Sequence, residues 1–138
     1  MSDFVIIPDT SCDLTRSLRE RFGIEDYLGG LIYFPDGHSE VCDLDWERHD
    51  PKTFYESMSD KKTMYKTASP PTGETLKIFE KNLKAGKDIL CITLSSALSG
   101  TYQACELVKS ELMAKYPERK IVCIDSMRYS TALSLLVI

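Results

Sequence analysis

"ILCITLSSALSGTYQACELVKSELMAKY", residues 89–116, reads as a strand, a loop and a helix. Ile89–Leu94 is a short apolar run of strand length. Thr101–Tyr116 is long enough for a helix, and Pro117 stops it. Between them, Ser95, Ser96, Ser99 and Thr101 cluster around Gly100. A buried strand running through a small-residue loop into a helix is half of a βαβ unit, and the rest of the chain repeats the alternation.

Upstream, Thr72–Lys84 sets Leu76, Phe79 and Leu83 on one helical side, with Gly86 as its stop. Downstream, Lys120–Ile124 is a further strand and Ser130–Ile138 opens another helix, with Leu133, Leu135, Leu136, Val137 and Ile138 crowded into it. At the start, Phe4–Pro8 is a strand, and Asp13–Phe22 a helix with Leu14, Leu18 and Phe22 four apart and Gly23 behind it. Leu31–Phe34 meets the turn Pro35-Asp36-Gly37, and Ser39–Cys42 returns as a hairpin. Asp50-Pro51 caps a helix over Thr53–Met58, and the polar stretch 59–71 is a crossover loop. The expected fold is α/β, a mainly parallel sheet with helices on both faces.

Composition narrows the function classes. The chain has 138 residues, 43% apolar and 28% charged, which suits one globular domain with a real core. Its net charge is −4 and no basic patch stands out, which argues against a nucleic-acid surface. No stretch is long enough to span a bilayer, and a cytoplasmic location is the default expectation. The five cysteines include no C-x-x-C pair, and Cys91 and Cys123 sit in apolar runs as small buried hydrophobes.

In open α/β sheets, ligands bind beyond the carboxyl ends of the strands. Four hydroxyl-rich loops gather at that edge: 9–13, 67–72, 95–99 and 125–126. Ser, Thr and Asp are the preferred helix caps, so any one loop is explained by capping; Asp9, Asp13 and Asp125 read as caps or turn residues. Several such loops at one edge favour a small anionic head group, held by uncharged donors at helix N-termini. A catalytic serine fits less well. Ala97-Leu98-Ser99-Gly100-Thr101 lacks the first glycine of a nucleophile elbow, and His38 and His49 lie in the hairpin turn and the acidic segment. Thr72-Gly73-Glu74-Thr75 lacks the lysine of a phosphate loop, and Asp43, Asp45, Glu47 and His49 match no metal-ligand pattern. No metal or cofactor is expected.

The chain resembles the N-terminal domain of the DegV family of bacterial fatty-acid-binding proteins. "IIPDTSCDL" resembles the family's opening strand and D-S-x-x-D-L loop, "TASPP" its T-S-Q-P segment, "LSSALSGTYQ" its S-S-x-L-S-G-T motif and "VCIDS" its I-D-S strand end. Pro8 stands where the family has threonine, and Ala68-Ser69 where it has Ser-Gln. The resemblance implies a long-chain fatty acid as ligand, presented to a fatty-acid kinase, and no enzymatic step by the chain itself. It implies that Thr67 and Ser99 hydrogen-bond the carboxylate; Ser95, Ser96, Thr10 and Ser126, from the hydroxyl-rich loops themselves, are candidates to support them. Family members are about twice this length. The resemblance therefore implies that 1–138 is the single N-terminal α/β domain of a truncated product or a fragment, with the C-terminal domain absent from this chain. Two other readings use the same edge: a small-molecule enzyme or phosphate-ester binder, and a truncated domain that binds nothing.

Overall fold

The computed structural model describes residues 3–60 and 62–138; Met1, Ser2 and, within the loop expected at 59–71, Lys61 lie outside the described residues. Along the chain run β1 (Phe4–Pro8), α1 (Arg16–Phe22), β2 (Leu31–Tyr33), β3 (Ser39–Val41), α2 (Pro51–Ser57), β4 (Lys66–Ala68), α3 (Thr72–Lys84), β5 (Asp88–Thr93), α4 (Thr101–Lys115), β6 (Ile121–Asp125) and α5 (Thr131–Val137).

The strands form two sheets. One is parallel, in the order β1-β5-β6, with Phe4 opposite Asp88 and Ile89 opposite Ile121. Alternation along its strands splits the core in two. Ile7, Ile89, Cys91, Ile121 and Cys123 face α3 and α4, where Phe79, Leu83, Cys105, Val108 and Leu112 meet them. Phe79 is fully buried, and burial of such a ring stabilises by about 1.5–3 kcal/mol. Ile6, Leu90 and Ile92 face the opposite way, toward Leu14, Ile24, Leu133 and Val137 around α1 and α5. The parallel sheet thus carries helices on both faces.

The other sheet is antiparallel, in the order β3-β2-β4. The expected hairpin forms it together with β4, a strand inside the stretch expected to be loop. Its register sets Leu31 against Ala68 and Ile32 against Thr67. All three β4 residues are exposed on at least one side and carry no apolar alternation, so only pairing with β2 reveals the strand. β1 ends against the segment that leads into β2. Leu28 N–H donates to Pro8 O at 2.8 Å, and Thr10 N–H donates to Leu28 O at 2.9 Å.

The first helix begins later than its apolar spacing predicts. Residues Thr10–Cys12 form a short 3-10 turn, and Asp13, with φ of 52°, closes it in the left-handed region. Asp9 caps that turn, while Thr15 caps α1. Leu14 is buried outside the helix and Phe22 is left exposed, so the expected stripe is divided between two backbone conformations. Gly23, with φ of 67°, ends α1 by donating its N–H to the last carbonyls. No helix among the described residues is long and apolar enough to cross a membrane.

Candidate functional site

At the carboxyl edge of the parallel sheet, the loop after β1 and the loop after β5 face one end of the antiparallel sheet across a cleft of about 470 Å³. Thr10, Ser11, Thr67, Ser69, Ser99 and Thr101 bring hydroxyls to it, and Leu94, Leu98 and Pro70 give it apolar wall. The volume is in the range of small-molecule sites.

The chain builds this cleft with a single buried carboxylate. Asp9 accepts from Ser11 N–H at 2.8 Å, from the Ser11 hydroxyl, and from Leu94 N–H at 2.8 Å. The loop after β1 is thereby tied to the start of the loop after β5. Thr10 Oγ1 accepts from Gly30 N–H at 3.1 Å, which ties the same loop to the antiparallel sheet.

Ser99 precedes α4, whose N-cap position is held by Gly100 without a side-chain bond. Ser99 Oγ accepts from Thr101 N–H at 3.2 Å and lies 2.9 Å from Thr101 Oγ1. With Thr101 donating its hydroxyl proton, Ser99 accepts twice and keeps its own proton for an anion in the cleft. The dipole end of α4 adds a favourable field for negative charge. Thr67 sits in the middle of β4, and its hydroxyl has no hydrogen-bond partner among the described residues.

The remaining expected donors divide. Thr10 lines the cleft. Ser95, Ser96 and Ser126 do not, because their polar groups are used within the loops. Ser95 Oγ accepts from Ala97 N–H, and Ser126 Oγ donates to Arg128 O at 3.0 Å. Ser96 donates its hydroxyl to Asp125 Oδ2 and its N–H to Asp125 Oδ1, at 2.5 and 3.1 Å. The Ser96 hydroxyl, with the Met127 N–H, holds the Asp125 carboxyl below its usual range. Asp125 thus acts as a turn residue that steadies the loop after β5.

Sequence reading placed Ser69 and Thr101 in the hydroxyl-rich stretches without singling them out, and missed Cys42 and Asp43 as lining residues. Ser69 and Thr101 lie two residues from Thr67 and Ser99, which is the signal that could have singled them out. Cys42 reaches the cleft because its N–H donates to Gly30 O at 2.7 Å, continuing the hairpin to the sheet's end. Burial pushes the Cys42 thiol up.

Among the described residues that line the cleft, none is cationic, and three are aspartates. Each aspartate is engaged: Asp9 as above, Asp13 by the Ser130 hydroxyl at 2.6 Å, and Asp43 by Arg48 N–H at 2.6 Å. Neither histidine lines it. His38 pairs with Asp36 and His49 with Glu40 in the hairpin region. The acidic segment is occupied too, since Asp45 accepts from Arg16 N–H and Glu47 pairs with Arg16 and Arg19. No group of three or more Cys, His, Asp or Glu side chains among the described residues is arranged to hold a metal ion.

This geometry has known relatives. The DegV family model, described as an uncharacterised protein family, matches residues 3–138. A DegV domain-containing protein of Clostridium perfringens is 34% identical over 131 residues, 95% of this chain and 44% of that protein. A second from the same species is 34% identical over 137 residues, 99% of this chain and 46% of that protein. The chain spans slightly less than half the length of these curated relatives. Among solved structures, a Thermotoga maritima protein described as revealing fatty acid binding function superposes with a TM-score of 0.80 at 26% identity, over 98% of this chain and 46% of that one. A stearic acid-binding protein from Eubacterium ventriosum has the same fold, with a TM-score of 0.85 at 23% identity, over 97% of this chain and 45% of that one.

Proposed function

The chain belongs to the DegV family, and we propose from that premise that it is a carrier domain for a long-chain fatty acid. One observation carries the reading. Thr67, from a strand of the antiparallel sheet, and Ser99, from the loop after β5, line the same cleft although they are far apart in sequence. Two converging hydroxyls with protons to spare suit a carboxylate, to which such hydrogen bonds are charge-assisted. Thr10 and Thr101 support them, and Leu94, Leu98 and Pro70 offer the first apolar contacts to the hydrocarbon. The Thermotoga maritima relative's fatty acid binding function supports the same ligand class.

The domain performs no chemistry on its cargo in this reading; it holds the acid in the cytoplasm and presents the carboxylate to a fatty-acid kinase. In this reading the chain is the N-terminal domain of a two-domain architecture, as its span of slightly less than half of its curated relatives supports. Organic extraction of the purified protein followed by mass spectrometry, with calorimetric titration of the delipidated protein by stearic acid, tests the proposal. Recovery of a fatty acid, or saturable binding of stearic acid near one per chain, is the expected result. An empty extract together with no heat of binding would overturn it.

A further inference from the structure

The parallel sheet ends on β6, and that edge is open. At the two ends of the β5–β6 pairing, Ile89 N–H donates to Lys120 O at 2.8 Å and Ser126 N–H to Thr93 O at 3.2 Å. Alternate residues of a parallel ladder bond the neighbour, so Val122 and Ile124 turn their backbone groups toward β5. Ile121, Cys123 and Asp125 therefore turn theirs outward. No group among the described residues bonds those outward N–H and C=O groups.

Open edges of native sheets are blunted by proline, lysine or a bulge. The opposite edge follows that rule: β1 ends in Pro8, whose carbonyl takes Leu28 N–H. β6 has no such device. It reads Ile-Val-Cys-Ile-Asp, is paired regularly along its length, and its one charged residue, Asp125, turns its carboxylate back to Ser96.

We infer that β6 pairs antiparallel with β6 of a second copy of this chain, about a two-fold axis at Cys123. In that register the strand is its own complement. Cys123 faces Cys123 of the second copy, Ile121 faces Asp125 of the second copy, and every outward N–H meets an outward C=O. A slip of one residue would set outward groups against residues that face β5. A slip of two would leave one end of β6 against residues outside the strand. Val122 lies beside Ile124 of the second copy at a non-hydrogen-bonded position, where side chains approach most closely. These are the two large apolar side chains that β6 leaves exposed.

A two-fold axis closes the assembly at two chains. So short a strand makes a small contact, and the dimer dissociates on dilution. The paired strands run in opposite directions, so the carboxyl edges of the two sheets point apart and both clefts stay clear of the contact.

Sedimentation combined with residue-resolved hydrogen exchange tests the pairing. With rising concentration the mass should approach twice that of the chain, and exchange at the Ile121, Cys123 and Asp125 amides should slow in step. The Val122 and Ile124 amides, already bonded to β5, are the internal reference. The double variants V122K/I124K and V122E/I124E should each stay monomeric, and an equimolar mixture should recover the dimer, because the register sets opposite charges side by side. A monomer of the unaltered chain at every concentration would overturn the inference. So would a dimer whose outward amides exchange as fast as in dilute solution, a dimer that persists in both variants, or folded variants that stay apart when mixed. The exchange measurement uses the unaltered chain, so it decides even where a variant fails to fold.

Discussion

The carboxylate of Asp9, at the end of β1, accepts a hydrogen bond from the backbone N–H of Leu94, at the end of β5, at 2.8 Å. Asp9 is 2% exposed, and the same carboxylate takes the Ser11 N–H. Asp9→Ala leaves both N–H groups without their acceptor, at roughly 1–3 kcal/mol for each one that water does not reach. Asp9→Asn keeps one acceptor oxygen and costs less. Chemical denaturation should rank wild type above Asn and Asn above Ala; superimposable curves would show that the link contributes nothing.

Thr67→Ala and Ser99→Ala separate binding from capping. Thr67 is exposed and its hydroxyl has no partner among the described residues, so its removal should leave the thermal midpoint unchanged. Ser99→Ala also removes the acceptor of Thr101 N–H, and should lower stability by about 1 kcal/mol. Each change removes a donor to a charged acceptor, worth roughly 1.5–3 kcal/mol, so stearic acid affinity should fall about ten- to a hundredfold. Level affinity in both variants, measured alongside the midpoints, would remove the carboxylate from these residues.

Glu80 couples α3 to α4. The hydrogen bond from Lys115, joined by those from Lys84 and Tyr116, holds its carboxyl down from the usual 4.5 to about 2. A depressed folded-state value stabilises the fold fully above pH 4.5, and that stabilisation is lost as pH falls toward 2. Glu80→Gln should therefore lie below wild type at neutral pH, with the gap closing across that window. Denaturation midpoints at stepped pH values check it, and a gap that stays constant would contradict the assignment.

The five cysteines should not react alike. Burial pushes the Cys12 thiol up to about 11, and contact with the Cys105 and Cys123 thiols, together with burial, raises Cys91. Cys42, only half-buried at the cleft, is the first that an alkylating reagent should modify in the folded protein. Mass spectrometry after brief treatment should find one adduct, on Cys42, slowed by saturating stearic acid. Simultaneous labelling of several cysteines would refute the order.

On the face of the parallel sheet that α5 covers, Leu133 and Val137 are buried, but Leu135, Leu136 and Ile138 are exposed. Val122 and Ile124, opposite Leu90 and Ile92 in register, are 49% and 39% exposed on the same face. Uncovered apolar surface of this kind associates. Sedimentation should show concentration-dependent self-association, reduced in a Leu136→Lys variant. A monomer at all concentrations would count against it.

The parts of the fold legible in the sequence are those whose ends carry their own punctuation. Thr72–Lys84 follows two prolines and precedes Gly86, and its helical period is intact. β4 has no such marks: Lys66, Thr67 and Ala68 pair with a strand more than thirty residues upstream, and nothing local requires it. The late start of α1 depends on Asp13 adopting a left-handed conformation, which a spacing of apolar residues does not encode. The site was legible only as an edge rich in hydroxyls. Thr67 and Ser99 were singled out by family resemblance, and nothing in sequence separated them from Ser96 or Ser126. That separation comes from Asp125, at the end of β6, which takes the Ser96 hydroxyl, and from the Arg128 carbonyl two residues on, which takes that of Ser126.

The pairing of Phe4 with Asp88 also sets a schedule for synthesis on the ribosome. β1 emerges first, yet its only partner in the parallel sheet is β5, so it waits for everything between them to be made. At about 5–20 residues per second, that delay is on the order of ten seconds. During it the β2–β3 hairpin can close on its own turn, while Ile6 and Ile7 remain wet and available to chaperones. The part of the chain that forms the floor of the cleft is therefore synthesised before the core that will support it.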